Sequence, residues 1–282
     1  GIVLVGFRLS LSEVAALGPR ALVAVCLVVV ITFFGTQWLG RRLGLSRPLS
    51  LLVATGYSIC GASAIAAAEP FSDASEEEVA YAIALVTLCG SLAIGVLPPL
   101  GGLLGLSSAT FGAWVGASVH DVGQVVAAAS TRDATALKSA VVVKLTRVAL
   151  LAPLLTGIAI SKRRRDHREM VSVTPAGSAD SMAGERHNSP DAAAERPPIL
   201  PLFIVMFLVA VIVRSTGIMS TGALSGIKQL ETLMLGVGLA GLGSGVNVRR
   251  LRTLGGKPLV LGLASWIVVA AASLAAVTIA TA

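Results

Sequence analysis

Three polar side chains, His120, Asp121 and Gln124, stand inside the apolar stretch Phe111 to Ala128, FGAWVGASVHDVGQVVAA. An ionisable group at bilayer depth costs about 2.5–3.5 kcal/mol on insertion scales, so a chain that keeps one there normally sets it against a partner, a substrate or a proton. A histidine beside a carboxylate can exchange a proton near the reference imidazole pKa of about 6.5, which makes His120, Asp121 and Gln124 candidates for coupling. The competing reading leaves His120 and Asp121 at a water-exposed helix end, or satisfying each other. Downstream, Lys144 and Arg147 are three residues apart and share a helical face. At 1.5 Å per residue they lie roughly 10 and 15 Å inside the apolar run Leu137 to Ile160, too deep for easy snorkelling. With Asp121 ionised and His120 neutral, these four groups carry a net positive charge, a balance that favours an anion. An internal salt bridge from Lys144 or Arg147 to Asp121, fixing helix packing, is the alternative.

An anion brought to mid-membrane also needs N–H donors to replace its water. The segments GYSICGASAIAAAEP (56–70) and GAWVGASVHDVGQVVAA (112–128) carry Gly and Ser where a helix prefers Leu or Ala. Gly inside a helix costs up to about 1 kcal/mol relative to Ala, and a helix that unwinds there frees an N-terminus able to bind an anion. Gly61, Ala62, Ser63, Gly116 and Ser118, with Lys144 and Arg147, therefore form the candidate substrate-binding set. Close packing of small residues, such as Gly112 with Gly116, explains the glycines alone but not the adjacent polar trio.

The elements that must position these groups are membrane helices. The 282 residues are 55% hydrophobic and 13% charged, against about 25% charged in a soluble domain. Mean hydropathy is +0.85. Apolar runs reach the roughly 20 residues that cross a hydrocarbon core about 30 Å thick, without the alternation of a barrel. The fold class is thus all-α, a polytopic helical bundle. The net charge of +7 sits in short connections between apolar runs, which reads as membrane orientation rather than nucleic-acid binding. Cys26, Cys60 and Cys89 fall within spans as small hydrophobes, and neither a disulfide nor a metal site is inferred.

Predicted spans run from about Arg20 to Leu39, Leu49 to Glu69, Val79 to Pro99, Phe111 to Ala128, Leu137 to Ile160, Ile199 to Thr216, Gln229 to Asn247 and Pro258 to Ala280. Residues 1–160 form a first membrane part and 199–282 a last part of three spans. Between them, 161–198 is charged, Pro-, Ser- and Ala-rich, and is expected to be a disordered cytoplasmic linker. The opening run GIVLVGFRL is too short to span alone, so the chain is expected to begin inside a longer protein. Putting Arg41 to Arg47, Lys162 to Arg168 and Arg249 to Lys257 in the cytoplasm leaves the acidic turn Asp73 to Glu78 outside. A shift of 237 residues places Gly1, Gly6, Leu17, Gly18 and Leu22 on Gly238, Gly243, Leu254, Gly255 and Leu259 with opposite topology. Such inverted repeats recur in secondary transporters. A shift of 55 superposes Gly61, Ala62 and Ser63 on Gly116, Ala117 and Ser118. Parity gives these copies the same orientation unless one is re-entrant.

The ordered series GYSICGASAIAAAEP, EEEVAYA, GASVHDVGQVVAA, VKLTRVALLAP and GLGSGVNVRRLRTLGGKPLVLGL resembles the YeiH-type bacterial membrane proteins, a group labelled sulfate exporters. The resemblance covers nearly the whole chain outside 161–198. It implies an inner-membrane secondary transporter related to cation/proton antiporters and bile-acid symporters, with discontinuous helices crossing near mid-membrane. Asp121 stands where that pattern has Glu, Tyr57 and Ser58 replace smaller or Thr/Ala residues, and Glu69 replaces a neutral one. The expected partners are a small anion such as sulfate, protons or Na+, and the lipid bilayer. No cofactor and no nucleic acid are implied, and a homo-oligomer is compatible with this reading. No HExxH, GxSxG, Walker or CxxC pattern occurs, so no catalytic residue is assigned. The rival readings are an intramembrane enzyme using His120 and Asp121 as base and acid, and a channel or structural membrane protein.

Overall fold

The computed structural model describes residues 2–7, 15, 17–173, 202–244 and 256–281. Twelve α-helices follow in chain order among them: α1 (Ile2–Gly6), α2 (Gly18–Arg42), α3 (Arg47–Ser58), α4 (Ala62–Ala68), α5 (Glu76–Leu103), α6 (Ser108–Ser118), α7 (Val122–Ser130), α8 (Ala134–Ala149), α9 (Leu151–Val173), α10 (Leu202–Ser215), α11 (Thr221–Ser244) and α12 (Lys257–Thr281). No strand is present among the described residues. Four helical stretches are long and apolar enough to cross a membrane: α2, α5, α8 with the start of α9 (Ala134–Arg168), and α12.

The runs expected as spans at Leu49 to Glu69 and Phe111 to Ala128 do not cross. Each is a helical hairpin that enters to mid-depth and returns to its own face. In the first, α3 rises from its N-cap Ser46, whose hydroxyl accepts from the Leu49 N–H at 3.2 Å, with Pro48 in the first turn. The chain turns at Ile59 to Gly61, where Gly61 has φ +73°, a left-handed value that suits a residue without Cβ. It then descends through α4 and a short 3-10 turn, Glu69–Phe71. The return is fixed by a Ser46 to Glu78 hydrogen bond and a Lys162 to Asp73 ion pair, which put residues 46, 73, 78 and 162 on one face. The second hairpin, α6 and α7, enters from the opposite face: Ser108 at its start bonds Asp133 just past its end. There α6 runs parallel to α8, Gly112 against Ala136 and Gly116 against Ala140.

Two expectations are corrected by this. The acidic turn Asp73 to Glu78 lies on the same face as Arg41, Arg42, Arg47 and the Lys162 to Arg168 cluster, not opposite it, because the segment before it doubles back. Equally, the shift of 55 does not superpose the two breaks. The first triplet, Gly61 to Ser63, opens a descending limb, whereas Gly116 to Ser118 closes an ascending one. Ile59 and Val119 occupy matching positions as the C-caps of α3 and α6, and Ser58 matches Ser118 just before them. The shift of 237 falls partly outside the described residues.

The linker boundary also moves. Helix α9 continues through Ser161 to Val173, since Lys, Arg, Glu and Met keep good helix propensity after the apolar run ends. Residues 174–198 lie outside the described residues. Helix α5 starts on a full Ser75/Glu78 capping box with Glu76, Glu77 and Glu78 at its positive end. It packs on α3, α4, α7 and α12, so both hairpins lean on it. One large core joins α2, α3, α4, α5, α8 and α9, with Phe207 and Val211 of α10 and Leu261 of α12.

The face bearing Arg41, Arg42, Arg47 and Lys162 to Arg168 is expected to be cytoplasmic under the positive-inside rule. In a variant lacking Cys26, Cys60 and Cys89, single cysteines at Asp73 and Lys162 should react with an impermeant thiol reagent from the same side, and one at Leu104 from the other. Opposite-side labelling of positions 73 and 162 would overturn the hairpin topology.

Candidate functional site

The two hairpin tips meet where α3 and α6 end. The last carbonyls of a helix lack partners within it and carry the negative end of its dipole, and inside a membrane no bulk water satisfies them. Lys144 and Arg147 of α8, both 0% exposed, fill that role. Lys144 Nζ donates to Ile59 O at 2.8 Å, to Val119 O at 3.0 Å and to His120 O. Arg147 donates from Nε to Ser58 O at 3.1 Å and from one terminal nitrogen to Tyr57 O at 2.7 Å. Its other terminal nitrogen reaches Gly116 O at 3.3 Å and Val119 O at 3.2 Å. Each cation therefore bonds both tips. The expectation that Lys144 and Arg147 face a bound anion does not fit this arrangement, because main-chain carbonyls already occupy their donors. Nor do they pair with Asp121.

Asp121 instead caps α7. Its carboxylate accepts from the Gly123 N–H at 2.7 Å, and the Gln124 carbonyl accepts from the Asp121 N–H at 3.2 Å, a capping box. The Gln124 amide also donates to Thr87 O at 3.3 Å, tying α7 to α5. The N-terminus of α4 differs: Gly61 offers no side chain to cap it, and Ser63 in its first turn is half-buried. Ala62 is buried beside it. Ser118 is buried and donates back to Trp114 O at 2.7 Å, while Trp114 Nε1 donates to Ala270 O at 2.8 Å and holds α6 to α12. Gly116 lies against α8 rather than toward an opening.

His120 sits between the tips. It is fully buried, neither ring nitrogen has a hydrogen-bond partner, and the ring lies 4.2 Å from that of Tyr57, centroid to centroid. Its backbone and Cβ lie close to Gly61. The Tyr57 hydroxyl donates to Leu85 O at 3.2 Å. His120 and Asp121 are thus neighbours in sequence but not a hydrogen-bonded pair. The structure brings together His120, Gly61, Lys144 and Arg147, and it sends Asp121 and Gln124 to the flank of α7. Tyr57 and the carbonyls of Ser58, Ile59 and Val119 were not anticipated as parts of this centre. The aromatic ring of Tyr57 amid small residues was the one sequence signal for them.

Opposed re-entrant hairpins held tip to tip by buried cations, inside a bundle of helices long and apolar enough to cross a membrane, define a polytopic membrane protein. The family described as conserved hypothetical protein 698 matches residues 1–262. A UPF0324 membrane protein of Corynebacterium glutamicum is 38% identical over 275 residues, covering 98% of this chain and 73% of the relative. The UPF0324 inner membrane protein YeiH of Salmonella typhi is 33% identical over 275 residues, covering 95% of this chain and 72% of its own. A UPF0324 membrane protein of Bacillus cereus is 32% identical over 263 residues, covering 93% and 71%. The chain belongs to this UPF0324 family. No solved structure matches it.

Proposed function

We propose that the chain is a secondary transporter of a small anion, sulfate or a related sulfur oxyanion, working by alternating access and coupled to protons or Na+. The observation that carries this reading is the meeting of two broken helices from opposite faces at mid-depth. Breaks of this kind free backbone N–H groups where a substrate can be bound away from both solutions. The start of α4 at Gly61 to Ser63, which no side chain caps, is the anion-facing element. Lys144 and Arg147 act behind it by neutralising the carbonyl ends of α3 and α6, so the local field at the tips stays favourable to negative charge. His120 is the coupling group, with Lys144, Arg147 and Tyr57 around it and Asp121 next in the chain.

The test is saturable counterflow of labelled sulfate in proteoliposomes of the purified chain, with the substrate recovered unchanged. Chemical conversion of the substrate would favour the enzyme reading, and non-saturable flux the channel. A variant sharpens the coupling assignment. Because both ring nitrogens of His120 are buried without partners, His120→Phe should melt at or above the parent temperature. Its counterflow should lose most of the pH dependence that the parent shows, since Phe carries no titratable group. An unchanged pH profile would remove His120 from coupling.

A further inference from the structure

Between α2, α3 and α9 lies a groove of about 670 Å³, away from the hairpin tips. Its walls are apolar: Val29, Phe33 and Phe34 of α2, Leu51 of α3, Leu154 and Ile158 of α9. Its rim is cationic, formed by Arg47, Arg164, Arg165 and Arg168. Asp73 also lines the rim, and its carboxylate is engaged by Lys162. The wall on α9 runs from Pro153 to Arg168, about 22 Å of helix at 1.5 Å per residue. Half a hydrocarbon core is about 15 Å deep, so the groove spans one leaflet and leaves its arginines at headgroup level. It is also open sideways, where Val30 and Phe34 are 50% and 61% exposed.

A small inorganic anion would match the rim and leave the walls unfilled. A wholly apolar molecule would fill the walls and leave the arginines unanswered. A phosphate head on an acyl chain matches both, and basic pockets between membrane helices are suited to such heads. We infer that this groove binds an anionic phospholipid, one acyl chain along Phe33, Leu51 and Leu154 and the phosphate on the arginine rim. The site stands apart from the hairpin tips, so its failure would leave the transport reading untouched.

Gly157 lines the groove, and a Cβ added there would meet nothing within 4 Å. Gly157→Leu should therefore fill the groove without clash and, by raising helix propensity, should not lower the lipid-free melting temperature. Arg164 and Arg168 are exposed, so Arg164→Gln with Arg168→Gln probes the rim without disturbing the core. The experiment is native mass spectrometry and thermal melting of the full chain in detergent, with added phosphatidylglycerol, phosphatidylcholine or inorganic phosphate. Phosphatidylglycerol should be retained and raise the melting temperature, whereas phosphatidylcholine and phosphate should not. The paired arginine variant should weaken retention roughly tenfold to thirtyfold, as expected for two basic groups near an anionic head. Gly157→Leu should weaken it as well. Four results would overturn the site: equal retention of both lipids, the whole stabilisation reproduced by phosphate, unchanged retention in Gly157→Leu, or a dimer that dissociates in the arginine variant.

Discussion

Replacing Arg147 by Gln is expected to cost the fold rather than a ligand. Arg147 reaches four main-chain carbonyls, at Tyr57, Ser58, Gly116 and Val119, across both hairpin tips. Hydrogen bonds to a charged group contribute about 1.5–3 kcal/mol each, and an acceptor left bare in a buried setting costs about 1–3 kcal/mol. A neutral, shorter amide can serve at most part of the set, so the loss should be about 3–5 kcal/mol, a large share of a net stability of roughly 5–15 kcal/mol. Arg147→Lys keeps the charge but lacks the planar fork and should fall between. Melting followed by size exclusion on heated samples measures this. A variant that melts like the parent yet no longer carries sulfate would return Arg147 to the substrate, as its sequence position alone suggested.

Gly116→Val should be nearly as damaging, for a steric reason. A Cβ on Gly116 would stand 3.0 Å from the Ala140 Cα, and one on Gly112 2.8 Å from the Ala136 Cα, with carbonyl oxygens nearer still. The obstacle in both cases is the backbone of α8, which cannot rotate away as a side chain would. Separating α6 from α8 would also withdraw the Gly116 and Val119 carbonyls from Arg147. Overpacking of this kind costs about 1–3 kcal/mol and more when backbone must move. The expected readout is a lower melting temperature and poor recovery of monodisperse protein. Gly157→Leu, which faces open space, is the internal control. Equal behaviour of the two variants would mean that α6 and α8 are not in backbone contact.

The membrane class, the crossing helices near 20–39, 79–99, 137–160 and 258–280, and the depth of Lys144 and Arg147 were legible because hydropathy and length report burial in lipid directly. The re-entrant hairpins were not. Two short helices joined by a tight turn present the same apolar length as one crossing helix, and the break was hinted at only by the Gly/Ser interruptions and by a parity conflict that a re-entrant segment would relieve. The acidic turn was then assigned to the wrong face by counting crossings. Within the site, the sequence marks which side chains are charged but not which carbonyls need them. Lys144 and Arg147 thus read as anion ligands, whereas the structure spends them on the ends of α3 and α6. Asp121 and Gln124 form a local S/T/D-x-x-E/Q-like box, a pattern that could have been read as a helix start.

The clamp on α8 also bears on how the protein is made. Arg147 follows Tyr57 by 90 residues and Lys144 follows Ile59 by 85. At roughly 5–20 residues per second, the first hairpin is synthesised several seconds before the cations that satisfy it exist. During that interval the carbonyls of Tyr57, Ser58 and Ile59 have no partner on α8. The hairpin must therefore wait at the membrane edge or within the insertion machinery until α8 arrives, and seating of both tips becomes a single late event in biogenesis.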